Sequence, residues 1–412
     1  IEAWLMELHD APLLTVRLGF GAGNLHNPGG KFGVAPMTEY MFDEGAGSYD
    51  SLELRKRLNS IGANLGASGS SEYLTVSFST PTAYKDKALE LLRLAMHAPR
   101  FDAEPIERAR TYRMASIDRR MKNPGDIASR PLWRSIFGKQ HPMAIEWPDL
   151  KAAYARISTD DLKDFRRSFL TRDKLKIAVV GDIDAATLGP LLDRLLGELP
   201  AKSTLEPLPP PAGNPGGCHF TPLDVPQAIV QFSAAAPRLS NRQRIAWTLL
   251  DAILDQGIST GRLPRELREK RGLVYGVGIS YFRYAKFGLV SGNFSAKMSD
   301  VPEALAVMRQ ELRRMVEEGP TEAELAEVKP GIIGGILLGL DTGSALANLM
   351  LAAQTNGWPT THLKDLAGAY EKTTREDLHE VAKLLLNPDR LTVSIVGQPG
   401  KASPCETPVA QR

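Results

Sequence analysis

One acidic side chain, Glu39, stands in the otherwise uncharged segment Val34-Ala35-Pro36-Met37-Thr38-Glu39-Tyr40-Met41-Phe42. A carboxylate there can take a proton from water, provided that something holds and polarises the water. The neighbours offer no metal to do so. Pro36 has no ligand atom, and a neutral phenol such as Tyr40 is a poor zinc ligand. The histidines His9, His26, His97, His141, His219, His362 and His379 are scattered singly, none three or four residues from another. The chain carries no His-Glu-x-x-His or Cys-x-x-Cys metal spacing, no Gly-x-Ser-x-Gly elbow and no phosphate loop.

A second candidate lies in 259–277, where Ser259 or Thr260 can cap a helix with the apolar stripe Leu263 and Leu267. Gly272 ends that helix in the manner of a C′ glycine. A strand then alternates Val274, Gly276 and Gly278 on one face with Leu273, Tyr275 and Val277 on the other. Arg268 in the last helical turn and Tyr275 just beyond can converge on one side of the turn, as two donors for a carbonyl oxygen gaining charge. Spacing alone favours plainer roles. Arg268, with Lys270 and Arg271, complements a helix C-terminus, and Tyr275 fills a core.

These residues need a scaffold, and 412 residues are too many for one ordinary core. Apolar residues at 43% and charged residues at 24% suit a globular chain, and a net charge of +2 gives no reason to expect nucleic acid or an anionic membrane as partner. The most apolar run, 331–340, holds four glycines and is expected to be a buried helix, not a membrane span. The Pro/Gly-rich stretch 200–217 is expected to be a linker between domains 1–199 and 218–412.

The two sides of that linker resemble each other. Leu54-Arg55, Asp161-Leu162 and Val180-Gly181 recur in order as Leu267-Arg268, Asp377-Leu378 and Val396-Gly397, at offsets that drift by only three residues. Strands at 63–69, 73–80 and 175–181 match strands at 273–280, 288–295 and 390–397. Long helices at 83–97 and 301–318 match as well. The expected architecture is α+β: two homologous domains, each a mainly antiparallel sheet flanked by helices.

The segment around Glu39, followed by Glu44-Gly45-Ala46-Gly47, resembles the zinc helix of the M16 (insulinase) metallopeptidases, with Gly21-Ala22-Gly23 and the 267–277 block as further likeness. The resemblance implies the LuxS/MPP-like metallohydrolase fold. It also implies that an inverted His-x-x-Glu-His motif has been lost: Pro36 and Tyr40 stand at the histidine positions and Glu39 at the base position. The family's third ligand, a glutamate on a later helix, falls at Ser116, give or take one residue. Arg268 and Tyr275 match the family's Arg/Tyr element, whose two side chains reach the scissile peptide from the opposite half.

The resemblance further implies a zinc-less, non-catalytic subunit of a heterodimeric peptidase. This chain holds no cofactor, and zinc belongs to a partner M16 subunit with an intact motif. Peptides are the substrates, and no membrane span is expected. Other roles for such a chain are a structural scaffold, like the core proteins of respiratory complexes, or a stand-alone peptide-binding protein. The opening at Ile1 without Met fits a removed signal peptide or a trimmed chain, which makes the periplasm the expected compartment and the cytoplasm the alternative. Cys218 and Cys405 are either a disulfide or two unrelated thiols.

Overall fold

The computed structural model describes residues 2–255, 261–361, 365–399 and 405. Its strands, β1 (Trp4–Glu7) to β10 (Thr392–Gly397), form two five-stranded sheets. The first has the order β1-β5-β2-β4-β3, with β2 at Leu13–Phe20, β3 at Asn64–Gly69, β4 at Leu74–Pro81 and β5 at Leu175–Gly181. The second has the order β6-β10-β7-β9-β8, with β6 at Cys218–Pro222, β7 at Ala228–Ala236, β8 at Val274–Arg283 and β9 at Gly288–Ala296. Strand for strand the two orders are the same. Only β1 with β5 and β6 with β10 run parallel. The expected α+β fold is the one observed.

The repeated dipeptides have identifiable structural jobs. Asp161 and Asp377 are the third residues of two helices that begin with reciprocal capping boxes, on Ser158 and Thr374. Leu162 and Leu378 are fully buried behind them, as are Leu54 and Leu267. Val180-Gly181 and Val396-Gly397 end β5 and β10. The stretch 200–217 contains neither helix nor strand.

Compact units do not follow the division into 1–199, 200–217 and 218–412. One unit is Ile1–Ile117, Trp147–Leu208 and Leu337–Lys364; the other is Asp118–Glu146, Pro209–Ile336 and Asp365–Arg412. The physical reason is that a sheet has two faces to bury. On β2, Leu14, Val16, Leu18 and Phe20 point into the main core of the first unit. The opposite face, through Thr15, Arg17 and Gly19, is covered by the helix Gly343–Asn356. Arg17 Nε donates to Asn348 Oδ1 at 2.8 Å, and a Cβ on Gly19 would stand 2.9 Å from Leu351 Cδ1. Ala178 and Val180 join Ala347, Met350 and Leu351 in a second buried cluster. The other sheet receives the helix Pro124–Phe137 in the same way, with Gln231 Nε2 donating to Gly125 O at 2.9 Å.

Two expectations are adjusted. The apolar run 331–340 begins inside the helix Glu322–Leu338, but Leu337 and Leu338 are 59% and 80% exposed, so it is not a buried helix. Its glycines have no side chains to pack, and a Cβ on Gly331, Gly334 or Gly335 would meet nothing within 4 Å. Among the described residues no single helix is long and apolar enough to cross a membrane. The cysteine alternatives resolve as a pair: Cys218 and Cys405 are disulfide-bonded, with Cα atoms 5.5 Å apart.

The helix Asn241–Asp255 brings two carboxylates, one turn apart, against β8. Asp255 Oδ2 accepts the Ile279 amide at 3.3 Å. Asp251 Oδ1 is buried without a hydrogen-bond partner, and burial together with the nearby Asp255 charge pushes the Asp251 carboxyl up to about 7.

Two outcomes are expected. A fragment ending at residue 217 lacks the helix over Ala178 and Val180, so it should fail to give a monodisperse folded species on size exclusion, and co-expression of the remainder should restore one. An acid whose folded pKa is raised favours folding most below its unfolded value and loses that contribution as pH rises through about 7. Asp251→Asn should therefore raise the melting temperature at pH 8 and leave it nearly unchanged at pH 4, in paired thermal melts.

Candidate functional site

Glu39 lies in the last turn of the short helix Val34–Tyr40, which is buried from Val34 to Thr38. The turn behind it needs left-handed backbone, at Gly45 with φ 106° and Gly47 with φ 58°. The Glu39 carboxylate abuts the end of β3, where a Cβ on Gly69 would be 2.5 Å from both Glu39 Oε2 and Asn24 Oδ1. Glycine is required by that approach. Asn24 Nδ2 donates to Gly69 O at 3.0 Å and keeps the loop against the strand end. Burial pushes the Glu39 carboxyl above its usual range, opposed by the Arg113 charge and by the Gly69 amide.

Arg113 comes from the helix Ala103–Arg120. Its Nη2 donates to Pro36 O at 2.8 Å and lies 3.9 Å from Glu39 Oε2. Tyr112 packs its ring 6.4 Å from that of Tyr40. Ser116 is half-buried one turn further along the same helix face. The structure thus brings Pro36, Glu39 and Tyr40 together on one helix, and contacts from Tyr112 and Arg113 bring in the helix that carries Ser116.

These groups do not fit a divalent metal. Proline, phenol and hydroxymethyl replace imidazole and carboxylate, and the charge facing Glu39 is already a guanidinium. Arg113 was not singled out by sequence reading. Its signal was a basic residue one turn before Ser116, legible only once the two helices are known to touch. Glu44 was passed over too: only 4% exposed, it accepts from Ser51, Arg55 and Arg108 and ties the turn to two helices.

Arg268 and Tyr275 lie in the other unit, and the structure does bring them together. Leu263 and Leu267 are fully buried, as the stripe required. Ser259 and Thr260, the candidate caps, lie outside the described residues. Arg268 sits on a π-helical turn, Arg265–Glu269, a rare geometry often found at functional sites. Gly272, at φ 63°, sends its amide to Arg268 O at 2.9 Å and ends the helix as expected.

The strand beyond Gly272 does not alternate from its start. A bulge between Val274 and Gly276 leaves Tyr275 as the extra residue, so Leu273 and Val274 are both buried and Tyr275 is 73% exposed. Tyr275 and Val277 therefore do not share a face. Regular alternation, with Val277 and Ile279 buried, begins after the bulge.

The Arg268 guanidinium carbon lies 5.5 Å from the Tyr275 ring centroid. Lys270 and Arg271 instead pair with Glu266, at 2.6 and 2.7 Å. Among the described residues Arg268 makes no ion pair, so its donors are free. A half-buried guanidinium and an exposed phenol, held side by side on a π-turn and a bulge, can hold an anionic or carbonyl oxygen. Of the nearby aromatics, Tyr281 bonds Pro237 O and the Leu239 amide, and Tyr284 stacks on Phe287. Both are structural.

Twinned sheets and a helix lacking its metal ligands mark a peptidase-like fold without its metal centre. Residues 5–142 match the family model for insulinase, peptidase family M16, and residues 156–331 match that for the peptidase M16 inactive domain. The chain belongs to the M16 family. The non-peptidase homolog YmxG of Helicobacter pylori is 22% identical over 96% of this chain and 91% of its own length. An uncharacterized zinc protease of Mycobacterium bovis is also 22% identical, over 97% and 91%. A crystal structure of a peptidase M16 inactive domain from Pseudomonas fluorescens superposes with a TM-score of 0.89 at 23% identity, covering 96% of this chain and 95% of that one. A protease from Helicobacter pylori gives 0.81 at 17%, covering 95% and 96%. Relatives named as protease and as non-peptidase are thus about equally similar in sequence. The inactive-domain match, the non-peptidase homolog and the inactive-domain structure support a non-catalytic M16 family member.

After dialysis against zinc, metal analysis should return well below one equivalent for the wild-type chain and no less for Glu39→Gln. One equivalent bound by the wild type and lost in Glu39→Gln would make Glu39 a metal ligand and overturn this account.

Proposed function

We propose that this chain is the zinc-less half of a peptidase pair, closing a peptide chamber against an M16 partner that carries the intact His-x-x-Glu-His motif and the zinc. In this reading Arg268 and Tyr275 hold the scissile carbonyl and stabilise the charge that grows on its oxygen. The observation that carries it is the Arg268 guanidinium, without an ion pair among the described residues, beside the exposed Tyr275 phenol. A purely structural subunit has no need of two free donors in that arrangement. Substrates are peptides in extended form, and the edge strands β3 and β8 are the natural places for an added strand. The periplasm is the proposed compartment, supported by the Cys218–Cys405 disulfide.

The purified chain should cleave no peptide, and adding the motif-bearing partner should produce cleavage. Arg268→Ala or Tyr275→Phe should lower kcat of the pair by about 10²–10³-fold, the loss typical of one such donor, without changing the melting temperature of the chain. Undiminished kcat in both variant pairs would remove the catalytic role and leave a scaffold.

A further inference from the structure

At the far end of β3 from Glu39, the first unit encloses a cavity of about 310 Å³, near the lower end of the ~300–1,000 Å³ typical of small-molecule sites. Five residue steps along β3, from Asn64 to Gly69, separate its wall from the Glu39 contact, roughly 16 Å at the rise of a strand. Leu8, Leu13 and Val180 supply apolar wall, and no charged side chain lines it.

Its polar groups come from one helix terminus and from the strand residues Thr15, Asn64, Ser79 and Thr80. Thr342, Gly343 and Ser344 open the 14-residue helix Gly343–Asn356 into the cavity. The Thr342 hydroxyl is taken by the Ala345 amide at 3.1 Å. The Gly343 and Ser344 amides have no acceptor among the described residues.

Thr15 provides an independent observation. It is 6% exposed, lines the same cavity, and its hydroxyl makes no hydrogen bond among the described residues. With no protein partner and open to the cavity, that hydroxyl is free to pair with a group that enters. It faces the helix start: a Cβ on Gly343 would lie 3.7 Å from Thr15 Oγ1 and 3.6 Å from Val180 Cγ1. Thr15 Oγ1 and the first turn of the helix therefore border one volume.

Three donors at the positive end of a helix, with no cation beside them, suit a single negative charge of modest size. The apolar wall suits a short aliphatic chain attached to it.

We propose that this cavity is a binding site for a monocarboxylate bearing a short branched aliphatic group, with the carboxylate on Thr15 Oγ1 and the Gly343 and Ser344 amides and the aliphatic end against Leu8, Leu13 and Val180. Such a carboxylate is found on a small free acid and on the C-terminus of a peptide ending in an aliphatic residue. The site does not rest on the peptidase-pair reading, since it uses neither Glu39 nor Arg268.

Calorimetric titration of the full chain with N-acetyl-leucine, N-acetyl-leucinamide and N-acetyl-Ala-Ala-Leu tests it. N-acetyl-leucine should bind saturably, and the amide about tenfold more weakly or worse. Thr15→Val should weaken the acid by about fivefold, the order expected for one hydrogen bond. Gly343→Val, whose methyl groups project into the cavity, should abolish binding. Should either variant unfold, chemical-shift changes at the wild-type Gly343 and Ser344 amides on adding N-acetyl-leucine decide the matter. Comparable binding of the tripeptide identifies peptide ends as ligands, and binding of the single residue alone identifies free acids. No saturation by either acid to about 10 mM, equal affinity for the amide, or undiminished affinity in both folded variants overturns the proposal.

Discussion

Each sheet in this chain has two faces to bury, and local sequence covers only one of them. The second face of the first sheet is buried by the helix Gly343–Asn356, which lies more than 160 residues beyond β5 in the chain. The helix Pro124–Phe137 does the same for the sheet built from the later half. Burying one Leu such as Leu351 contributes about 1.5–3 kcal/mol, a sizeable share of the 5–15 kcal/mol by which most domains are stable. The two copies of the unit are thus joined in folding as well as in sequence, and the groups at their ends inherit that constraint.

This explains which features could be read from residues alone. The duplication was legible because its repeated dipeptides do local work: capping-box aspartates, the buried leucines beside them, and the Val-Gly pairs that end two strands. Strand positions came from alternation in the same local way. The crossing helices were not legible, because the sequence of 124–137 or 343–356 shows an apolar face without naming the sheet that receives it. The bulge at Tyr275 escaped for a related reason. A period of two looks intact until a partner strand shows that one residue is unpaired.

The candidate site divides along the same line. That Pro36, Tyr40 and Ser116 are poor metal ligands needs only residue types, so it is visible in the sequence. The charge opposite Glu39 needs the contact between two helices: a guanidinium bonded to Pro36 O faces it. Glu39 is a half-buried carboxylate with a guanidinium as its counter-charge.

The bulge on β8 also decides how the phenol can change over time. Tyr275 points outward because the ladder skips it, so its aim is set by backbone phase and not by neighbouring side chains. Substitutions around it leave that aim intact, whereas deleting Gly276 would put the strand back in step and draw Tyr275 into the ladder opposite Ser295. The presentation of the phenol is therefore tolerant of drift in composition and vulnerable to change in length.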